Sequence, residues 1–327
     1  MIRASIPHGL AYGDSSPLGM DWDWWISQTI IGLTLGGVYA LIALGYSLVY
    51  GVLRLINFAH GDVYMVGAVV AYWVAKGFFG WTETADHLIP IWAIAGMLAI
   101  SIASCVSLGY IIERFAYRPL RRAPRLNSLI TAIGVSFLLE NIFQLQAFFG
   151  AAPRGFPYTN LNKTVSIGGH DVGYESLMIL CGTAFFLIAC RWIILHTRMG
   201  LGIRATSFNH DYARLMGINV NAITAFTFVL GSALAAVAGV FVGLYQHQID
   251  PLMGINAGLK AFTAAVVGGI GNLAGAVLGG FLMGLSETYI AGSKFTDYRD
   301  AFAFGLLILI LLIRPGGLLG SVAAEKV

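Results

Sequence analysis

Apolar residues run through this chain in long blocks, separated by short polar and arginine-bearing stretches. A helix rises about 1.5 Å per residue, so crossing a hydrocarbon core of about 30 Å takes about 20 mostly apolar residues. The blocks 24–50, 58–75, 91–112, 128–149, 176–195 and 222–245 approach or exceed that length, and each reads as a spanning helix. The block 259–291 is too long for one straight span. It is interrupted by Gly268-Gly269-Ile270-Gly271-Asn272, a run of glycines that predicts a break between two shorter helices. A final block, 301–313, closes the bundle. The pattern predicts an all-α polytopic membrane bundle of nine transmembrane helices, or eight if the interrupted block is one kinked span. Residues 1–23 then form an N-terminal tail, 24–320 the membrane domain and 321–327 a C-terminal tail.

Composition supports that reading. The 327 residues are 57% hydrophobic and 11% charged, whereas a soluble domain carries about 25% charged residues. The 41 glycines suit membrane helices whose backbones approach closely. Gly32, Gly36 and Ala40 recur every fourth residue, as do Gly231, Ala235, Gly239 and Gly243, and Gly271, Gly275 and Gly279. Residues four apart share a helix face, so each series predicts a groove for a neighbouring helix or for a partner chain. Cys105, Cys181 and Cys190 lie in apolar stretches without metal or redox spacing. A net charge of +3 gives no support for nucleic-acid binding. Met1 to Met20 hold no signal-like apolar run and read as a dispensable tail, or as preceding a start at Met20.

Arginine and lysine concentrate in short cytoplasmic loops. Arg114, Arg118, Arg121, Arg122 and Arg125 fall in one loop, and Arg191, Arg198, Arg204 and Arg214 fall in or beside another. Both loops are therefore expected in the cytoplasm. The loop 150–175 between them, where Arg154 and Lys163 are matched by Asp171 and Glu175, is expected outside. Extending the alternation puts Asp14, Asp21 and Asp23 outside and, with nine spans, the C-terminus inside.

The chain has no G-x-x-x-x-G-K-[ST], so it has no phosphate-cradling loop of the Walker type. The long loop 197–221 predicts instead a polar helix over 204–216, stopped at Gly217. Lying flat beneath the membrane, such a helix is either a docking element for a soluble partner or a solvated connector.

Several runs resemble a known family. Gly32-Leu33-Thr34-Leu35-Gly36-Gly37-Val38-Tyr39-Ala40-Leu41 and Ile56-Asn57-Phe58-Ala59-His60-Gly61-Asp62 resemble the opening of branched-chain amino-acid ABC permeases of the LivH type. The likeness continues through Glu113-Arg114-Phe115-Ala116-Tyr117-Arg118-Pro119-Leu120, Gly217-Ile218-Asn219-Val220, Gly268-Gly269-Ile270-Gly271 and Arg314-Pro315-Gly316-Gly317-Leu318. The resemblance implies an ABC importer permease fold in a multi-pass protein of the bacterial inner membrane. It implies a second related permease, two ATPase subunits that bind the ATP, and a periplasmic binding protein delivering leucine, isoleucine or valine. No cofactor and no catalytic residue is then expected in this chain. It also implies that Arg204, Ala205, Asp211, Ala213 and Gly217 belong to the segment that couples to an ATPase. Thr206-Ser207-Phe208-Asn209-His210 departs from the more charged stretch usual there. Urea and short-chain amide permeases share much of this framework.

Ionisable residues inside spans are costly, which makes them functional candidates. His60 and Asp62 follow a break at Asn57, and read as a pathway element or as a helix-start network capped by Asn57. Glu140 and Glu287 lie near span ends, and Lys260 is placed at the outer interface. Glu140 is either interfacial or part of the pathway. The translocation-pathway candidates are Asn57, His60, Asp62, Glu140 and Asn272, the asparagines because polar half-helix ends can satisfy ammonium and carboxylate groups. These residues lack the spacing of metal ligands or of a catalytic centre. An ATP-independent transporter is the competing class; it gives the loop 197–221 no task.

Overall fold

The computed structural model describes residues 22–81, 89–121, 123–159, 164–167 and 170–320. Residues 1–21, with Asp14 and Asp21, lie outside the described residues, as do Arg122, Lys163 and the tail 321–327. Among the described residues, six helices are long and apolar enough to cross a membrane. They are α1 (Trp22–Leu53), α3 (Ile91–Ile111), α4 (Arg125–Gln144), α5 (Tyr174–His196), α8 (Val220–Gln246) and α10 (Leu273–Ala291). Three further helices complete the bundle: α2 (His60–Phe78), α9 (Met253–Gly268) and α11 (Arg299–Ile313). The chain is thus a polytopic helical membrane protein.

Helix α2 is the hub. It is buried along most of its length, packed between α3, α8 and α9. It does not start at a membrane surface. The His60 ring lies against Gly45 of α1 and Gly231 of α8, each well inside its own helix, so the segment 54–59 dips into the bundle before α2 begins. The N-cap of α2 is Ala59 without a side-chain bond, so the expected cap by Asn57 is not formed. Instead Asn57 Oδ1 accepts from the Tyr117 hydroxyl at 2.8 Å, at the end of a π-helical turn (Ile112–Tyr117) that extends α3.

The small-residue series pack as grooves within the chain. A Cβ on Gly280 would strike the backbone of Ala40, and one on Gly284 the backbone of Gly36, which seats α10 antiparallel against α1. Gly275 and Gly279 face Gly268 and Ala264 of α9. Without water to drive helix association, such backbone contact is the main packing force available in lipid.

The predicted break falls at 269–272. Gly269 and Gly271 take φ of +109° and +90°, conformations that a side chain would strain, and Asn272 Oδ1 caps α10 by accepting from the Gly275 N–H at 3.1 Å. Helix α9 starts earlier than the sequence pattern suggested. It begins at Met253, because Gly254 and Gly258 allow it to lie directly on Gly61 of α2. Lys260 therefore sits within α9, buried, rather than at its start.

One side of the bundle is closed by short ribbons. Strand β1 (Arg154–Gly155) pairs antiparallel with β4 (Gln248–Ile249), and β2 (Thr164–Ile167) with β3 (His170–Gly173). The opposite side carries two short helices, α6 (Arg198–Phe208) and α7 (His210–Leu215).

Candidate functional site

Two features of the structure carry chemistry: a pair of carboxylates inside the bundle, and an exposed apolar surface on α6 and α7.

Asp62 lies in the first turn of α2, where the helix dipole favours an anion. Across from it, α4 contributes Ser136 and Glu140, one turn apart on the same face. The Ser136 hydroxyl donates to Asp62 Oδ2 at 2.5 Å and also lies 3.3 Å from Glu140 Oε1. Asp62 is 2% exposed and Glu140 6%. Both border a cavity of about 110 Å³ whose other walls are Tyr46, Phe58, Gly254, Ile255, Gly258, Leu259 and Phe262. The rings form one cluster, with Tyr46 and Phe58 at 5.9 and 6.3 Å from Phe262. Among the described residues no lysine, arginine or histidine forms an ion pair with either carboxylate.

Of the pathway candidates, the structure brings Asp62 and Glu140 together. Glu140 is buried within the bundle. His60 stands one residue before Gly61 with its ring 4.8 Å from that of Tyr46, but Nε2 points at Gly45 and has no partner among the described residues. Asn57 is engaged by Tyr117 and lies outside the cavity lining. Asn272 caps α10 and donates through Nδ2 to the Leu319 carbonyl at 2.7 Å, also away from the cavity. The aromatic walls and Ser136 escaped the sequence reading, since aromatic residues and serine are ordinary constituents of apolar spans. Three ion pairs escaped it too. Lys260 Nζ meets Glu287 Oε1 at 2.5 Å and Asp300 Oδ1 at 2.8 Å, and Arg121 pairs with the buried Glu113 while donating to Asn221 Oδ1 at 2.5 Å.

The loop differs from the single helix predicted over 204–216. Thr197 caps α6, whose inner face buries Gly200, Gly202, Ile203 and Thr206. Ile203 joins Val52 and Ile223 in a small core that fixes the loop beneath α1 and α8. The helix then breaks at Asn209, whose Oδ1 accepts from the N–H groups of Asp211 and Tyr212 and starts α7. A local cap outcompetes continuation of α6. Ala205 and Ala213 therefore lie on different helices, and they do not form the common contact face that one continuous helix would give. Ala213 is 3% exposed and packs inward. Arg204 and Asp211 are exposed, the latter paired with Arg214 at 3.2 Å, and Ala205 is half-buried. Gly217 ends the segment at φ +80°, with its N–H on Arg214 and that of Ile218 on Ala213, a left-handed terminus of the kind glycine favours. Burial, then Arg214 and Arg121, hold the His210 imidazole below its ordinary range, so the loop gains no charge there near neutral pH. What the loop presents outward is apolar: Phe208, Tyr212, Leu215 and Met216 are all strongly exposed.

Comparison with known proteins adds a family. Residues 28–311 match the family described as branched-chain amino acid transport system / permease component. The chain is 43% identical over 305 residues to the high-affinity branched-chain amino acid transport system permease protein BraD of Pseudomonas aeruginosa, covering 93% of this chain and 98% of that protein. It is 39% identical over 310 residues to the corresponding LivH protein of Escherichia coli K12, again covering 93% of this chain and 98% of that protein. A probable branched-chain amino acid transport permease protein of Methanocaldococcus jannaschii is 28% identical over 287 residues, covering 86% of this chain and 88% of its own length.

Proposed function

The chain belongs to the branched-chain amino acid transport permease family, and from that premise we propose that it is the membrane permease subunit of an ATP-driven bacterial importer for leucine, isoleucine and valine. The observation that carries this reading is the end-to-end likeness to BraD and LivH, which leaves almost no part of those proteins unmatched.

The chain offers no nucleotide-binding loop, so ATP is hydrolysed by two partner ATPase subunits. They dock on α6 and α7, whose exposed apolar residues stand beside Arg204 and Asp211. Movement there reaches the pathway through α1. The Arg54 guanidinium lies 3.5 Å from the Ser207 carbonyl, and from Arg54 the chain leads straight into the buried segment that ends at His60 and Asp62. A second, related permease completes the pore, and a periplasmic binding protein supplies the amino acid. Because that receptor provides the affinity, the permease needs only a conduit that accepts a zwitterion with an aliphatic side chain.

The arginine-bearing side is cytoplasmic. With nine spans, this proposed topology has α1 entering the inner membrane from outside and α11 leaving it on the cytoplasmic side. In a Cys181→Ser background, Asn209→Cys is expected to be shielded from an impermeant thiol reagent in intact cells, and Lys294→Cys in the loop after α10 to react. Labelling of position 209 from outside would reverse the orientation.

The substrate assignment is tested by deletion. Loss of this chain is expected to abolish high-affinity uptake of radiolabelled leucine, isoleucine and valine at micromolar concentrations, with recovery on complementation. Unchanged uptake of all three, accompanied by loss of urea or short-chain amide uptake, would overturn it.

A further inference from the structure

We infer that the cavity between α1, α2, α4 and α9 is the station at which the ammonium group of the translocating amino acid is held, by Asp62 and Glu140 as counter-charges and by Tyr46, Phe58 and Phe262 as ring faces. The inference rests on the proposed transport function and deepens it by naming the part of the substrate that this site receives.

Hydrogen bonding leaves the pair incomplete. A serine hydroxyl has one proton to donate, so Ser136 serves one carboxylate at a time. Glu140, one turn after Ser136 on α4, has only that 3.3 Å contact to its carboxylate among the described residues, although the residue is 6% exposed. A buried carboxylate without donor or cation is strongly unfavourable in an apolar bundle. Glu140 and Asp62 both border the cavity, so a further partner for their carboxylates is supplied from there.

The walls specify what kind of partner. Aromatic faces attract a cation through their quadrupole, and a primary ammonium brings three donors, enough for Asp62, Glu140 and one further acceptor. An inorganic cation would call for a shell of oxygen ligands, whereas here the remaining walls are Ile255, Leu259, glycines and rings. An aliphatic chain attached to the ammonium is compatible with those walls. The volume of about 110 Å³ is on the scale of the roughly 150 Å³ cavity that admits benzene, and takes a head group with its first carbons. A Cβ on Gly254 would stand 2.7 Å from the Gly61 carbonyl oxygen and 3.0 Å from Asp62 Oδ1, so this glycine lets α9 close on α2 at the cavity wall.

The test uses the assembled complex, purified through this subunit in lipid nanodiscs, with Cys181→Ser and Ile255→Cys. Position 255 lines the cavity and preserves both carboxylates and Ser136. Modification rates are compared for 2-aminoethyl methanethiosulfonate, which carries an ammonium, and its 2-sulfonatoethyl counterpart. The ratio of the two rates is expected to fall about tenfold on Glu140→Gln, because one negative charge at close range is removed. Millimolar leucine is expected to slow the ammonium reagent, and 4-methylpentanoate, which lacks the ammonium, to leave it unchanged. A ratio indifferent to Glu140→Gln overturns the site. Protection by sodium chloride and not by leucine overturns the assignment to an amino acid in favour of an inorganic cation. Leucine uptake by the unmodified complex is scored separately: its absence overturns the transport function, while the reagent ratio still decides whether the carboxylates select an ammonium. Co-elution of the ATPases with the variant checks assembly, and Asp62→Asn supplies the same comparison if Glu140→Gln does not assemble.

Discussion

Lys260→Met is expected to remove about 3–5 kcal/mol of stability, the loss that follows when one partner of a buried ion pair is deleted. Lys260 is buried in α9 and its ammonium joins Glu287 of α10 to Asp300 at the start of α11. The Tyr39 hydroxyl of α1 donates to the other oxygen of Glu287 at 2.8 Å, so four helices meet at this one cluster. With methionine at 260 the apolar volume is retained, but Glu287 keeps a single donor and faces Asp300 without the intervening positive charge. The penalty lies in the orphaned carboxylate and not in the lost attraction. Lys260→Met/Glu287→Met is accordingly expected to recover most of the loss, since both buried charges are then gone. Survival of the monodisperse subunit after heating in detergent, read by size-exclusion chromatography, measures each variant. A double variant as unstable as the single one would show that the lysine acts through its packing.

The spans were legible because a membrane helix is specified locally, by an apolar length that no distant contact can alter. The break at 269–272 was legible for the same reason, as glycines and Asn272 mark it within a few residues. The beginning of α9 was not: Met253-Gly254-Ile255-Asn256-Ala257-Gly258 reads as a loop, and it becomes helical only because Gly61 of α2 lies against it. The break at Asn209 did have a local signal, an asparagine followed by an acidic first turn, which the stronger impression of one polar helix concealed. In the cavity, Asp62 and Glu140 were each conspicuous as ionisable residues inside spans. Their meeting was not readable, because Asp62 and the serine between them are 74 positions apart and belong to helices that are not consecutive. The pairing of Lys260 with Glu287 was hidden in the same way, by a register that depends on where α9 begins. Ring contacts among Tyr46, Phe58 and Phe262 left no trace at all in a chain with 20 phenylalanines.

If α6 and α7 dock ATPase subunits as proposed, Leu215→Glu is expected to abolish that docking while leaving the membrane bundle intact. Leu215 and Met216 are 82% and 81% exposed, and Phe208 and Tyr212 extend the same apolar patch across the break between α6 and α7. Large apolar side chains clustered on a water-facing loop mark a protein contact. Tyr212 lies one turn from Leu215 and shares its face, and Met216 follows at the end of α7, while Ala213, 3% exposed, is turned away and anchors α7 inward. This distinction decides which substitution is informative. Ala213→Glu would force a charge into packed surroundings and disturb the loop itself, confounding docking with folding. Leu215→Glu adds its charge in solvent and touches nothing inside the subunit. Apolar anchors at the centre of an interface are worth about 2 kcal/mol or more, roughly thirtyfold in affinity, and a buried charge in their place adds a desolvation penalty. Recovery of ATPase on purification through this subunit is therefore expected to fall at least about thirtyfold, and leucine uptake to fall with it. Subunit yield and heat resistance should match the parent protein. Met216→Glu is expected to reproduce the result. Normal ATPase recovery and normal uptake in both loop variants would reduce α6 and α7 to a connector and move the docking surface elsewhere on the arginine-bearing side.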